Sequence, residues 1–328
     1  MNILIIGGAG FIGCNTADHY LKKGSDVTVF DNFSRKGTEQ NLRWLQAHHP
    51  GVKVVRGDIR GDNALLQQSV EKADVVFHFA AQVAVTTSVV NPREDFEINA
   101  LGAFNVLEAI RLSSNKPILV FASTNKVYGG MENVQTAEGS RRFSYVNLPY
   151  GCSEEQPLDF HSPYGCSKGA ADQYVRDYAR IYGLKTIVFR QSCIYGYRQF
   201  GVEDQGWVAH FTISAALNRP VTIYGNGKQV RDLLFTTDLV QAYDLAIQKI
   251  DVTAGKVYNI GGGPDKTLSL LELVEFLETS FKKKMNSRFS TWRPGDQPVF
   301  VCDIRKAKAE FGWEPKVSVK EGIGLLAD

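Results

Sequence analysis

Asn2-Ile3-Leu4-Ile5-Ile6-Gly7-Gly8-Ala9-Gly10-Phe11-Ile12-Gly13 opens the chain, and few stretches this short restrict a fold so tightly. An apolar run, a glycine-rich turn and a helical pattern to about Lys23 read as buried strand, tight loop and helix. Gly7 allows the turn, Gly10 lets backbone approach a pyrophosphate, and Gly13 lets helix and strand pack closely. The helix N-terminus then presents free N–H groups to phosphate. The competing reading is an ordinary strand–turn–helix with no ligand.

The rest of the chain repeats that alternation. Ile3–Ile6, Val27–Phe30, Lys53–Arg56, Val75–Phe79, Ile118–Ala122 and Thr186–Arg190 read as strands, with helical patterns around residues 12–23, 39–47, 62–72, 93–113 and 165–182. Strands alternating with helices predict an α/β fold, a doubly wound parallel sheet covered on both faces, the Rossmann arrangement. After about Gln191 the elements shorten and mix: Val221–Tyr224, Asp232–Phe235 and Val257–Ile260 as strands, helices near 237–249 and 269–281. The expected division is a first domain of residues 1–191, to which 236–264 returns, and a smaller mixed α/β substrate lobe of 192–235 and 265–328. Ligands of doubly wound sheets lie at the carboxyl ends of the strands, so a lobe over that edge closes a cleft. Segment 129–162 is polar and turn-rich, with Gly129-Gly130, Pro149, Gly151 and Pro157. It reads as a disordered insertion or, preferably, a lid, because long loops in compact domains are usually functional.

With 44% hydrophobic residues among 328, the chain can bury a substantial core. A net charge of +2 with dispersed basic residues argues against nucleic acid and membrane surfaces as partners, and no apolar run reaches bilayer length. Cys14, Cys152, Cys166, Cys193 and Cys302 are scattered without CxxC spacing, which fits a reducing compartment and argues against a metal site. No signal peptide precedes the first strand, so the cytoplasm is the expected location.

Tyr164-Gly165-Cys166-Ser167-Lys168 carries the chemistry. Residues four apart share one helix face, and an ammonium there can lower a phenol's pKa until it serves as a base near neutral pH. Asp31 ends the second strand about twenty residues after the glycine loop, where a carboxylate grips the ribose 2′-hydroxyl of NAD; the competing reading is an aspartate capping its own loop. Arg35 could instead reach the 2′-phosphate of NADP. Asp58 could take an adenine amino group or be an ordinary turn acid.

Gly7 to Gly13, Asp31-Asn32-Phe33-Ser34, Gly57-Asp58-Ile59, His78-Phe79-Ala80-Ala81, Asn99 to Asn105, Ser123-Thr124, Tyr164 to Lys168, Arg231-Asp232 and Asn259-Ile260-Gly261-Gly262 together resemble the extended short-chain dehydrogenase/reductase family, in its nucleotide-sugar epimerase and dehydratase branch. Ala84-Val85-Thr86-Thr87-Ser88, Ser123 to Gly129, Asp159 to Tyr164 and Asp204-Gln205-Gly206-Trp207-Val208 are similar to the 2-epimerases of CDP-linked hexoses within it. The resemblance implies that Tyr164 takes a sugar hydroxyl proton while NAD takes hydride from the same carbon. Lys168 would depress the phenol and hold the nicotinamide ribose, and Thr124 would hydrogen-bond the reacting oxygen. It further implies that Gly7, Gly10, Phe11, Ile12, Gly13, Asp31, Asn32, Ser34, Arg35, Asp58, Ile59, Ala80, Ala81, Asn99, Tyr164 and Lys168 line the cofactor. Thr86, Ser123, Thr124, Asn125, Arg231 and Arg293 would line a nucleotide-diphosphate sugar, the two arginines through segments similar to the family's diphosphate sites, Gly225 to Asp232 and Arg293-Pro294-Gly295-Asp296-Gln297. A homodimer through the helices near 93–113 and 165–182 is implied as well.

Dehydratases of the branch carry an Asp-Glu pair directly after the Thr. Here Asn125 and Lys126 stand there, and an amide cannot exchange a proton near neutral pH. Hydride removal, ketone rotation and hydride return remain, which is epimerisation. Carbon 2 of a CDP-hexose is the leading register, carbon 4 of a UDP-sugar the alternative, and a non-catalytic NAD-binding sensor the alternative of another class. Lys126 and His161 have no matched role and read equally well as loop-packing residues.

Overall fold

The computed structural model describes residues 1–293 and 296–327; Pro294 and Gly295 of the Arg293 segment, and Asp328, lie outside them. Seven strands form the main sheet: β1 Asn2–Ile6, β2 Asp26–Asp31, β3 Lys53–Arg56, β4 Val75–His78, β5 Ile118–Thr124, β6 Thr186–Gln191 and β7 Lys256–Ile260. Their order is β7-β6-β5-β4-β1-β2-β3, every neighbouring pair parallel. Alternate residues serve opposite faces: Ile3, Ile5, Val27 and Phe77 enter one apolar cluster, and Leu4, Ile6, Phe30 and Val76 the other. Each such side chain contributes about 1.5–3 kcal/mol by leaving water, so both faces must stay covered. The sheet's winding reverses between β1 and β4. Ile6 lies opposite both Phe30 and His78, so Gly7 and Phe79 leave the sheet level with Asp31, the last residue of β2, and open the crevice expected there.

The helical pattern near 93–113 is a broken path. Pro92–Phe96 leads into a π-turn, Glu97–Leu101, and then Gly102–Leu112, with a separate short helix at Val85–Val90. Ser162–Tyr182 is continuous. Pro163 stands at its start, where a missing N–H costs nothing, and Gly183 ends it in the left-handed region (φ 66°).

A second sheet is built on Val230–Phe235, which pairs with Cys193–Tyr195, Thr267–Ser269 and Val299–Phe300, while Val221–Tyr224 pairs with Ser287–Ser290. Helices Trp207–Ala216, Leu270–Phe281 and Val319–Ala327 cover it through Val208, Phe211, Leu273, Leu277 and Ile323. Leu270–Phe281 starts on a reciprocal cap: Ser269 Oγ accepts from Glu272 N–H (3.2 Å) and Glu272 accepts from Ser269 N–H (2.8 Å). The later helix Arg305–Phe311 packs back under the main sheet, Phe311 against Tyr258 and Phe189.

Segment 129–162 is ordered and docked. Thr136–Glu138 and Phe143–Tyr145 make a hairpin, Phe143 N–H donates to the Lys228 carbonyl (2.9 Å) and Cys152 N–H to the Val301 carbonyl (2.7 Å). Met131 and Cys152 share a core with Tyr128, Phe300 and Cys302. The segment is a strap lashing the turn after β5 to the second lobe, not a loose insertion. Its apolar residues follow neither helical nor strand spacing, so periodicity could not reveal it.

Candidate active site

The glycine loop is shaped as its spacing requires. Gly7 sits at φ +80°, and a Cβ there would come within 2.5 Å of Ala80 N; a Cβ on Gly13 would overlap the Gly7 carbonyl oxygen. Either side chain would force β1, β4 and the first helix apart. The helix Phe11–Lys22 begins at Gly10 with no side-chain cap and no acid in its first turn, so its leading N–H groups face the crevice unsatisfied. A Cβ on Gly10 would meet only the Gly7 oxygen, at 3.2 Å, so the approach to this glycine is open to a ligand.

Asp31 is buried at the end of β2. One carboxylate oxygen accepts from Ala9 N–H (3.0 Å), the other from Phe33 N–H (2.8 Å). Burial raises its pKa against these bonds, and each oxygen keeps a lone pair for a hydroxyl. Loop-capping and ribose-gripping are therefore one arrangement. Arg35 does not stand ready for a 2′-phosphate: its guanidinium reaches Gln205 across the crevice. Asn32 donates to Asp58 (3.0 Å), and Arg60 pairs with Asp58 (2.7 Å) and holds its carboxyl well below the usual range. Ser34 is exposed. Ile59 is buried, and Ala80 and Ala81 are half-buried just past the end of β4. Asn99, set by the π-turn, donates to the Gln82 carbonyl (2.9 Å) and Asp95 (3.0 Å), and its own amide oxygen is buried without a partner.

At the carboxyl end of β5, Thr124 meets Tyr164 from helix Ser162–Tyr182. Tyr164 is 8% exposed. Burial pushes its phenol up to about 12, and a hydrogen bond with Thr124 pulls the other way. The expected lowering by Lys168 is not what the structure has. The Lys168 ammonium donates to the Ala122 carbonyl (2.6 Å) and lies 4.3 Å from the centre of the Phe121 ring, and burial brings it down to about 8. Helical spacing brings the two stems together, but a buried ammonium turns to the nearest acceptor. Ser123 also departs from the substrate role: its hydroxyl donates inward to Asp172 (2.7 Å). Thr86 has a buried hydroxyl with no partner, the state of a group awaiting one. Asn125 is buried and accepts from Thr124 (3.3 Å). His161 is exposed at the head of the Tyr164 helix and does not cap it.

Across the cleft, Arg231 is braced by Asp296 (2.6 Å) and the Gln297 carbonyl (2.8 Å). Arg293 pairs with Asp204 (3.3 Å) and lies over the Tyr224 ring (3.9 Å). A bidentate guanidinium suits a phosphate, and exposed Asp204 is a partner that a phosphate can displace.

Two groups escaped the sequence reading. Asp95 is fully buried, bonded to Gln82 and Asn99, and raises the Tyr164 phenol. Asp172, two turns beyond Tyr164, pairs with Arg190 at 2.9 Å with both side chains buried. No spacing rule marks either. The glycine cradle, the uncapped helix start and the half-used Asp31 carboxylate fit NAD, whose place is the crevice between β1 and β4.

CDP-paratose 2-epimerase of Salmonella typhi is 47% identical to this chain, over all of the chain and 98% of that protein. The UDP-glucose 4-epimerase of Thermotoga maritima, solved with UDP-glucose, superimposes with a TM-score of 0.85 at 31% identity, covering 100% of this chain and 97% of that one. The Thermus thermophilus UDP-glucose 4-epimerase, solved with NAD, gives 0.83 at 32% identity over 100% and 98%. Residues 4–325 match the family described as GDP-mannose 4,6 dehydratase, and the chain belongs to that family of extended short-chain dehydrogenases/reductases.

Proposed function

We propose that this NAD-dependent enzyme inverts carbon 2 of a CDP-linked hexose, by oxidising its hydroxyl to a ketone and returning hydride to the opposite face. The carrying observation is that Thr124 and Tyr164 meet at the end of β5, with Lys168 one turn further along the Tyr164 helix, and that Asn125 and Lys126 occupy the places of the elimination acids. The sequence identity to CDP-paratose 2-epimerase supports CDP and carbon 2; the likeness to UDP-glucose 4-epimerase favours the second reading, carbon 4 of a UDP-sugar.

NAD, when bound, supplies the hydride acceptor and donor. Tyr164 takes the hydroxyl proton and gives it back, and Thr124 steadies the oxygen it came from. Lys168 holds its ammonium at the mouth of β5, where ribose hydroxyls can replace the Ala122 carbonyl. Asp31 would accept from the adenosine ribose. Arg231 and Arg293 clamp the diphosphate so that only the sugar turns. Residues 1–191 and 236–264 would thus hold the cofactor, and 192–235 with 265–328 the nucleotide sugar, apart from the helix Arg305–Phe311, whose Ala307 and Phe311 belong to the core under the main sheet. Cytoplasmic work is supported by the five free thiols; among the described residues no helix is long and apolar enough to cross a membrane.

Substrate deuterated at carbon 2 should react more slowly in ordinary water and keep its label in the inverted product, because hydride moves directly between sugar and cofactor. Retention of that label with inversion at carbon 4 would establish the second reading. Loss of the label to solvent would contradict hydride transfer itself.

The homodimer implied by the family is supported by an apolar ridge on the helices Gly102–Leu112 and Ser162–Tyr182, where Phe104, Leu112, Tyr174, Ile181 and Tyr182 are all exposed. Light scattering at micromolar protein should give twice the chain mass, and Tyr174→Glu should halve it. A wild-type monomer would remove the dimer from this reading.

A further inference from the structure

Lys126 is a cation the mechanism has not yet used. It stands in the turn Asn125–Tyr128 immediately after β5, its N–H donating to Thr124 Oγ1 (3.3 Å) and its carbonyl accepting from Gly129 N–H (3.2 Å). The turn rests on the Tyr164 helix, where a Cβ on Gly165 would come within 3.4 Å of the Lys126 carbonyl oxygen. Arg231, Asp296 and Cys193, all from the second lobe, face its side chain. Asp296 is already taken by Arg231 at 2.6 Å, and among the described residues the Lys126 ammonium has no ion pair. Burial, aided by Arg231, brings it down to about 8. A half-buried cation without an ion pair, close to a second cation, is unfavourable until an anion arrives.

The anions of a nucleotide-diphosphate sugar are its phosphates, and the register of the sugar decides which part of the cleft they reach. Carbon 2 is bonded to the anomeric carbon that bears the β-phosphate, whereas carbon 4 lies across the ring from it. An enzyme that presents carbon 2 to Tyr164 must draw the β-phosphate up beside Thr124. One that presents carbon 4 leaves it farther away. Lys126, two residues beyond Thr124 and alongside Arg231, stands where the first register needs charge. We propose that Lys126 receives the substrate's β-phosphate next to the reacting carbon and so sets the carbon 2 register; this rests on the carbon 2 reading above.

CDP and CMP differ by that one phosphate and serve as the probes. In calorimetric titration of the NAD-loaded protein at pH 7, Lys126→Met should lose CDP affinity by roughly tenfold to a hundredfold, the worth of one charge-assisted contact. CMP affinity should stay within about twofold, and Lys126→Arg should recover most of the CDP affinity. Unchanged CDP binding in Lys126→Met overturns the proposal. So does an equal loss of CDP and CMP, which is what a purely structural role produces. The same titrations with UDP and UMP keep the two readings apart. If the wild type holds UDP and not CDP, the choice of base is wrong, and Lys126 is then judged on whether UDP alone weakens.

Discussion

Tyr164→Phe should give a folded, NAD-loaded protein whose turnover falls by a factor on the order of a hundred to ten thousand, the size of a lost general acid–base group. The ring is buried and its backbone N–H donates to Ser88 Oγ (3.1 Å); Phe preserves both. The lost phenol leaves no orphan, since the Thr124 hydroxyl keeps Asn125 as a partner at 3.3 Å. The cost should therefore appear in kcat, with cofactor content and the unfolding midpoint unchanged. The phenol sits at about 12, raised by burial and held back by Thr124, so the wild-type rate should climb with pH above neutrality, and Thr124→Val should lower the rate at each pH and move the profile to higher pH. A Tyr164→Phe enzyme within a few fold of wild type would remove this residue from the proton path.

The largest loss of stability is expected at Asp172. Its carboxylate is fully buried and accepts from Arg190 Nε (3.0 Å) and Nη2 (2.9 Å), Ser123 Oγ (2.7 Å) and Gln173 (2.8 Å). Arg190 in turn donates to Tyr128 (3.1 Å), which donates to Asn259 (2.7 Å). The network ties the Tyr164 helix to β5, β6 and β7. Asp172→Ala strands the guanidinium in the interior, a loss of about 3–5 kcal/mol, whereas removing both charges together is far milder. Urea unfolding should show the single variant well below wild type and the pair Asp172→Leu with Arg190→Met recovering much of the difference. Turnover should fall with Asp172→Ala too, because Thr124 and Tyr164 are held in place by the elements it joins. If Asp172→Ala unfolds within about 1 kcal/mol of wild type, the pair is not what holds the helix to the sheet, since breaking a buried pair by removing one partner costs several times that.

Some joints of the fold carry motif residues whose work is structural. Asp232, buried beside Arg231, accepts from Gly263 N–H (3.1 Å), Cys302 N–H (3.2 Å) and the Ser192 hydroxyl. Asn259 holds the Cys152 carbonyl (2.8 Å) and Tyr128. Both belong to motifs that mark the family in the sequence, yet Asp232 joins the second lobe to the turn after β7 and Asn259 joins β7 to the docked strap.

The local signals needed no tertiary context. The strand–glycine–helix opening, the alternation that makes a parallel sheet, Asp31 at the end of β2 and the Tyr164–Lys168 pair all follow from near-neighbour geometry, where the period of a strand or helix dictates which residues share a face. Asn125 and Lys126 in place of acids were equally plain, because residue type alone rules out the elimination chemistry. What depended on the whole chain was the spending of polar groups. That Ser123 goes to Asp172, that Lys168 turns to Ala122, that Arg35 bridges to Gln205 and that residues 129–162 form a docked strap are decided by partners far away in sequence. The reason is that a buried donor or charge takes whichever acceptor the assembled sheet brings near it, and that choice exists only once β5, β6 and the second lobe have met.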